Sequence, residues 1–206
     1  MTATNQEFEF RGVNHLALVC KDMARTVEFY RDVLGMPLVK TLDLPNGKGQ
    51  HFFFDLGNGD SLAFFWFPGA PEAAPGIAAP EALPTRGNFA SAHGSMNHIA
   101  FNVPAEKFDE YHARLVAKGV DVTPILNHDN SETQVSSEIT DDVYVRSIYF
   151  FDPDGICLEF AAWTKTGGFT DEDIAHDPVQ ADGTKREGLI LRNKALASND
   201  AALAGA

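Results

Sequence analysis

Two cysteines in 206 residues are too few for a disulfide framework, and Cys20 and Cys157 form no Cys-x-x-Cys pair. Each sits in an apolar, strand-like run, where a thiol packs as a small hydrophobe. Long apolar runs are missing too: no uncharged stretch approaches the ~18 residues of a membrane span. The opening residues, Met1 to Gly12, are polar and acidic, without the basic and apolar regions of a secretory signal. A reducing cytoplasm is therefore the expected location, and no membrane is expected as a partner. Basic residues are scarce, with 16 Lys and Arg against 29 Asp and Glu and a formal net charge of −13. Phosphate binding demands clustered cations, so nucleic acid is excluded as a partner. Aromatic residues are plentiful: 16 Phe favour strands and apolar pockets.

The chain repeats itself. Val13-Asn14-His15-Leu16-Ala17-Leu18 returns 83 positions later as Met96-Asn97-His98-Ile99-Ala100-Phe101. A helical pattern follows each copy. Asp22 is placed to cap the first, with Met23, Val27, Tyr30 and Leu34 on one stripe and Gly35 at its end. Phe108, Tyr111 and Leu115 form the second stripe, ended by Gly119. Later, Gly59-Asp60-Ser61-Leu62-Ala63-Phe64 aligns with Gly155-Ile156-Cys157-Leu158-Glu159-Phe160. Strand, helix and three strands, twice over, predict an α+β fold of two βαβββ modules at residues 10–67 and 96–163. Residues 68–95, rich in Pro, Ala and Gly, read as a linker crossing between them. Asn127 to Asp142 reads as a long irregular loop. Residues 164–206 read as a tail, either an arm or disordered.

Side chains alternate across a strand, so parity assigns faces. His15, Ala17 and Val19 share one face of the first strand, and His98, Ala100 and Asn102 share the matching face of its repeat. Glu159 stands with Cys157 and Ala161 in the last strand. The bulkier apolar sets pack on the helices, which leaves His15, His98 and Glu159 to line the other faces. Two similar modules facing each other bring the two His together. Two imidazoles and a carboxylate with open positions are the arrangement of non-haem Fe(II) oxygenases, and the same donors suit Mn, Zn, Ni or Co. A divalent metal at His15, His98 and Glu159 is the expected cofactor, with Fe(II) favoured.

These residues resemble the vicinal oxygen chelate superfamily, which includes glyoxalase I, fosfomycin-resistance enzymes, methylmalonyl-CoA epimerase and type I extradiol dioxygenases. The resemblance is carried by Asn14-His15, Phe29-Tyr30 with Leu34-Gly35, Asn97-His98, and Tyr149-Phe150-Phe151-Asp152-Pro153-Asp154-Gly155 leading to Leu158-Glu159-Phe160. It implies a cupped mixed sheet around one metal. Glyoxalase I typically has a fourth ligand where this chain has Ala63, and the remaining His, His and Glu are the extradiol set. The resemblance thus implies an Fe(II) dioxygenase acting on a small aromatic diol, with Tyr149 bonding the substrate oxygen. The extradiol signature has a further His where this chain has Thr140, Asp141 and Asp142. His51, His93 and His128 are the substitutes as acid–base group, His51 first because its strand orders it. Simple parity pairs Phe52 rather than His51 with Tyr149, and a one-residue bulge reverses that. His112 and His176 read as solvated. Phe52, Phe54, Phe64 and Trp66 are expected either to line an apolar pocket or to pack in the core. A glyoxalase-like lyase, an epimerase or a thiol transferase is the alternative reading, and a ligand-sequestering protein a third. The superfamily also allows the modules to pair within a chain or between the chains of a homodimer.

Overall fold

The computed structural model describes residues 7–165, 169 and 173–188. The chain divides into two compact units, Gly12–Thr164 and Met1–Arg11 with Lys165–Ala206. In the smaller unit Val179 bridges Lys185, and the Arg186 N–H donates to the Pro178 carbonyl at 2.9 Å, closing a tight return. Residues 166–168, 170–172 and 189–206 of the expected tail lie outside the described residues. Among the described residues no helix is long and apolar enough to cross a membrane.

The larger unit runs β1 (His15–Val19), α1 (Met23–Val27), β2 (Leu38–Leu44), β3 (Gly49–Gly57) and β4 (Asp60–Trp66). It continues with β5 (Ile99–Asn102), α2 (Phe108–Ala117), β6 (Leu126–His128), β7 (Val135–Ser136), β8 (Val145–Phe151) and β9 (Cys157–Trp163). The mixed sheet is divided into two, one per module. The first has the order β1-β4-β3-β2 and the second β5-β9-β8-β6-β7. In each, the strand that opens the module lies parallel to the one that closes it. Part of the expected irregular loop forms an edge hairpin, because Asn127 and His128 pair with Ser136 and Val135.

Asp22 caps α1, its carboxylate accepting from the N–H groups of Ala24 and Arg25. The helix then widens into a π turn over Glu28–Val33, with the Leu34 N–H reaching back to the Phe29 carbonyl. Gly35, at φ +78°, ends it in a conformation that costs a side-chain-bearing residue dearly. Tyr30 is thereby fully buried, and its hydroxyl crosses to the other module to donate to Asp152 Oδ2 at 3.0 Å. The Lys21 N–H likewise donates to Asp154 Oδ2 at 3.1 Å. The two carboxylates of the Asp-Pro-Asp-Gly run therefore join the modules.

The helical sides of both modules fuse into one core. Cys20, Tyr30, Phe54, Leu62 and Phe64 share it with Phe108, Leu115, Ile148, Phe150 and Leu158. Each large side chain fully buried there is worth about 1.5–3 kcal/mol. Phe52 and Trp66 pack against the same core. Phe52, Phe54 and Phe64 are thus core, while Trp66 also lines a cleft with Met23 and Gln50: Leu18 pairs with Phe64, and Phe64 with Phe52, all on the helical side. Cys20 and Cys157 are buried free thiols.

Candidate metal centre

Beyond the core, the opposite face of each sheet carries polar and aromatic groups. On module one the register sets Ala17 beside Ala63, Ala63 beside Phe53, and Phe65 beside His51. His15 precedes Ala17 on that face, with its ring 5.8 Å from that of Phe53. The His51 ring stacks on Phe65 at 3.6 Å and 14°, and its Nε2 is buried without a hydrogen-bond partner. Burial, and then the charge of His15 when protonated, hold the His51 imidazole below its usual range. His51 therefore reaches the His15 face through an unbroken register, with no bulge. The residue that matches Tyr149 is Phe53, because Phe53 faces Ala63 as Tyr149 faces Glu159.

On module two, Ala100 and Tyr149 flank Glu159 from either side. Glu159 is buried, yet its carboxylate is well supplied with donors. Burial pushes its pKa up, but His98 when protonated, then the neighbouring Ser147 and Tyr149 hydroxyls, outweigh that and hold it below the usual range. The Ser147 hydroxyl donates to Oε1, and His98 Nε2 lies 3.0 Å from Oε2. The Tyr149 ring stands edge-on to His98, with centroids 5.6 Å apart. Burial first, then the Glu159 charge, push the Tyr149 hydroxyl well above its ordinary range, so it stays a donor. His98 Nδ1 meets Asn97 Oδ1 at 2.8 Å. If Nδ1 carries the proton, a neutral His98 turns a lone pair toward a carboxylate oxygen. Two such acceptors at 3.0 Å repel unless a positive charge, a proton or a metal ion, lies between them. The donor set and the buried carboxylate fit a divalent ion at this point.

The third expected ligand is elsewhere. His15 is exposed, with its Nδ1 2.8 Å from Asn14 Oδ1. Among the described residues no three His, Cys, Asp or Glu groups gather closely enough to hold a metal ion. The structure thus brings Glu159, His98 and Tyr149 together and leaves His15 and His51 on the face of the other module. The reason is the fused core: with the helical sides packed on each other, the two ligand faces do not close on one another within one chain. Of the other histidines, His93 and His176 are exposed, and His112 Nε2 reaches the Thr123 carbonyl at 3.2 Å rather than solvent alone. His128 pairs with Val145, on the face of Tyr149 and Glu159 but four residues along β8 from Tyr149, and its Nε2 is buried without a partner.

The family model described as Glyoxalase/Bleomycin resistance protein/Dioxygenase superfamily matches residues 12–160. The chain belongs to that superfamily. It is 28% identical over 152 residues to the metallothiol transferase FosB of Shouchella clausii, covering 72% of this chain and 77% of FosB. It is 26% identical over 164 residues to the fosfomycin resistance protein FosX of Listeria monocytogenes, covering 74% of this chain and 90% of FosX. The crystal structure of a glyoxalase family protein from Enterococcus faecalis superposes with a TM-score of 0.51 at 24% identity, over 74% of this chain and 98% of that one. That likeness concerns the fold.

Within this superfamily fold, Ser147, Phe89 and the Asn beside each His add contacts beyond those expected. Ser147 was accessible to parity, two residues before Tyr149 on one face. The two Asn that bond the His were visible as a repeated Asn-His pair. Phe89, whose ring lies 5.7 Å from His98 and 5.8 Å from Tyr149, left no signal. It belongs to the crossing segment, which with Leu83 packs over Tyr149 and Cys157 instead of merely spanning two modules.

Proposed function

We propose that this protein is a divalent-metal-dependent enzyme that holds a small substrate through adjacent oxygens and works on the carbon bearing one of them. The metal, when bound, acts as a Lewis acid on such oxygens. The observation that carries the reading is the His98 Nε2 and Glu159 Oε2 pair, 3.0 Å apart, with Tyr149 paired beside Glu159 and its ring edge-on to His98. His98 and Glu159 supply two ligands. His15 supplies the third from a second copy of the chain, whose module-one face covers this module-two face in a twofold pair. The support is the exposed His15 side of β1, where Ala17 and Val19 also face outward, beside Phe53, Phe65 and Phe67. Tyr149 donates to an oxygen that gains charge during reaction, and His51, lying on the same module-one face as His15, takes or returns the proton.

Thiol transfer or a lyase reaction is the favoured chemistry. FosB, covered over most of its length, carries a name of the first kind. Hydroxyl donors around Glu159 suit an oxygen anion without requiring O₂. The second reading is Fe(II)-dependent ring cleavage of a catechol, favoured by Tyr149 standing beside Glu159. The two separate in one experiment. Protein loaded with Mn, Ni, Zn, Co or anaerobic Fe(II) is offered fosfomycin with a panel of thiols, and separately catechols on an oxygen electrode. Thiol consumption without oxygen uptake supports transfer. A yellow product with stoichiometric oxygen uptake, from the Fe(II) form alone, supports ring cleavage and overturns transfer.

The shared site has its own test. His15→Ala and Glu159→Ala chains, each alone, are expected to bind almost no metal. Co-expressed with different tags, random pairing leaves one intact site in half of the dimers, so the mixture regains about one quarter of wild-type metal content. A mixture no better than its components, with metal-binding wild-type protein running as a monomer, places His15 in its own chain's site.

A further inference from the structure

The crossing segment does more than cover Tyr149. Asn97 Nδ2 donates to the Phe89 carbonyl at 2.8 Å and approaches Ser91 Oγ at 3.3 Å. A carbonyl only accepts, so these bonds fix which end of the amide is the NH₂. The other end, Oδ1, must then face His98 Nδ1, and it too only accepts. The bond therefore requires the proton on Nδ1, which leaves Nε2 as the atom turned toward Glu159. The segment that orients Asn97 is itself anchored to module two. Arg86 donates to the Val122 carbonyl at 2.6 Å and to Asp121 Oδ1 at 2.7 Å, and Leu83 is buried beside Tyr149 and Cys157. From Arg86 to His98 runs an unbroken series of short-range contacts: segment to sheet, carbonyl to amide, amide to imidazole.

We propose that Asn97 is a positioning residue that fixes His98 as the Nδ1–H tautomer, and that the Leu83–Ser91 stretch sets metal affinity by holding Asn97. The inference rests on the metal reading only for its second half. The Asn14–His15 contact repeats the same bond on module one and extends the rule to the third ligand. Free imidazole favours no such fixed choice in water, so an unheld ligand His spends part of its time with Nε2 protonated and unable to ligate.

Long-range ¹H–¹⁵N correlation on metal-free, ¹⁵N-labelled protein at about pH 8, above the ordinary histidine range, reads the tautomer directly. Wild-type His98 is expected as Nδ1–H. Asn97→Ala should release it to a mixture, and Asn97→Asp, which keeps the acceptor toward His98 but loses the NH₂ held by the Phe89 carbonyl, should restore it only in part. In parallel, Mn(II) and Co(II) affinity is expected to fall about 10–100-fold in Asn97→Ala and to recover only part of that in Asn97→Asp. Phe89→Ala, which keeps the carbonyl, should leave the tautomer unchanged. Finding Nε2–H in the wild-type protein overturns the proposal, and that measurement needs no variant to fold. So does an Asn97→Ala protein that keeps both tautomer and affinity. A wild-type protein with Nδ1–H that binds neither metal overturns the metal reading and leaves the positioning role standing.

Discussion

At the scale of single residues, the site is a buried carboxylate made tolerable by its donors. Glu159 accepts from Ser147 and lies against His98, which must carry a proton or share a metal ion with it, and burial of a carboxylate without such partners would cost several kcal/mol. Tyr149 is the donor most exposed to chemistry, because it also flanks His98. Tyr149→Phe removes one hydroxyl and keeps the ring in its packing. Turnover should fall about 10²–10⁴-fold while metal content and melting temperature change little, as checked by steady-state kinetics and metal analysis. Wild-type turnover in that variant would return Tyr149 to a packing role. The paired His and the parity of Tyr149 were legible in sequence because strands alternate strictly and the modules repeat. Simple parity puts Phe52 at the position of Tyr149, but the register puts Phe53 there, so His51 shares the His15 face without a bulge. Of the two readings open for Phe52, Phe54 and Phe64 in the sequence, the register selects the core, and Phe53 and Phe65 share the His15 face.

At the scale of elements, the surprise is the crossing segment. Its Pro, Ala and Gly content marks it as loop, and composition says nothing about what a loop packs on. Leu83 is 3% exposed, a core value for a residue in a presumed spacer. Leu83→Ala should therefore cost about 2–5 kcal/mol, as a Leu in any core would, measured by urea unfolding. A loss within experimental error would mean that the segment rests on the sheet without contributing to stability. The end of α1 teaches a related lesson. Its apolar stripe reads as an ordinary helix to Leu34, but the π turn over Glu28–Val33 is set by where Tyr30 must point, and its target Asp152 is 122 residues away. Local periodicity carries no record of such a partner. The same holds for the β6–β7 hairpin, whose two short strands are too brief to show alternation.

At the scale of the whole molecule, the joint between modules has a pH dependence. Burial pushes the Asp152 carboxyl up to about 6, against the bonds from Ile156, Asp154 and Tyr30 that favour its charge. A folded pKa above the unfolded one means stability is full below the ordinary carboxylate range and is lost as pH rises through about 6. The fold should thus lose roughly 3 kcal/mol from this group between pH 4 and 7.5. Asp152→Asn keeps acceptors for the backbone N–H groups and should flatten that limb of the melting-temperature profile. An unchanged slope in the variant would assign it to another group. The parallel pairings have a consequence in time rather than energy. His15 pairs across 46 residues to Ser61, and Ile99 across 59 to Leu158, so each module's opening strand waits for its closing one. Such distant closures make for slow folding and leave the first-made strand, with His15, as the last to dock. In a chain emerging from synthesis, β1 is complete long before β4 exists to receive it, and it stays unpaired until the hairpin of β3 and β4 has formed.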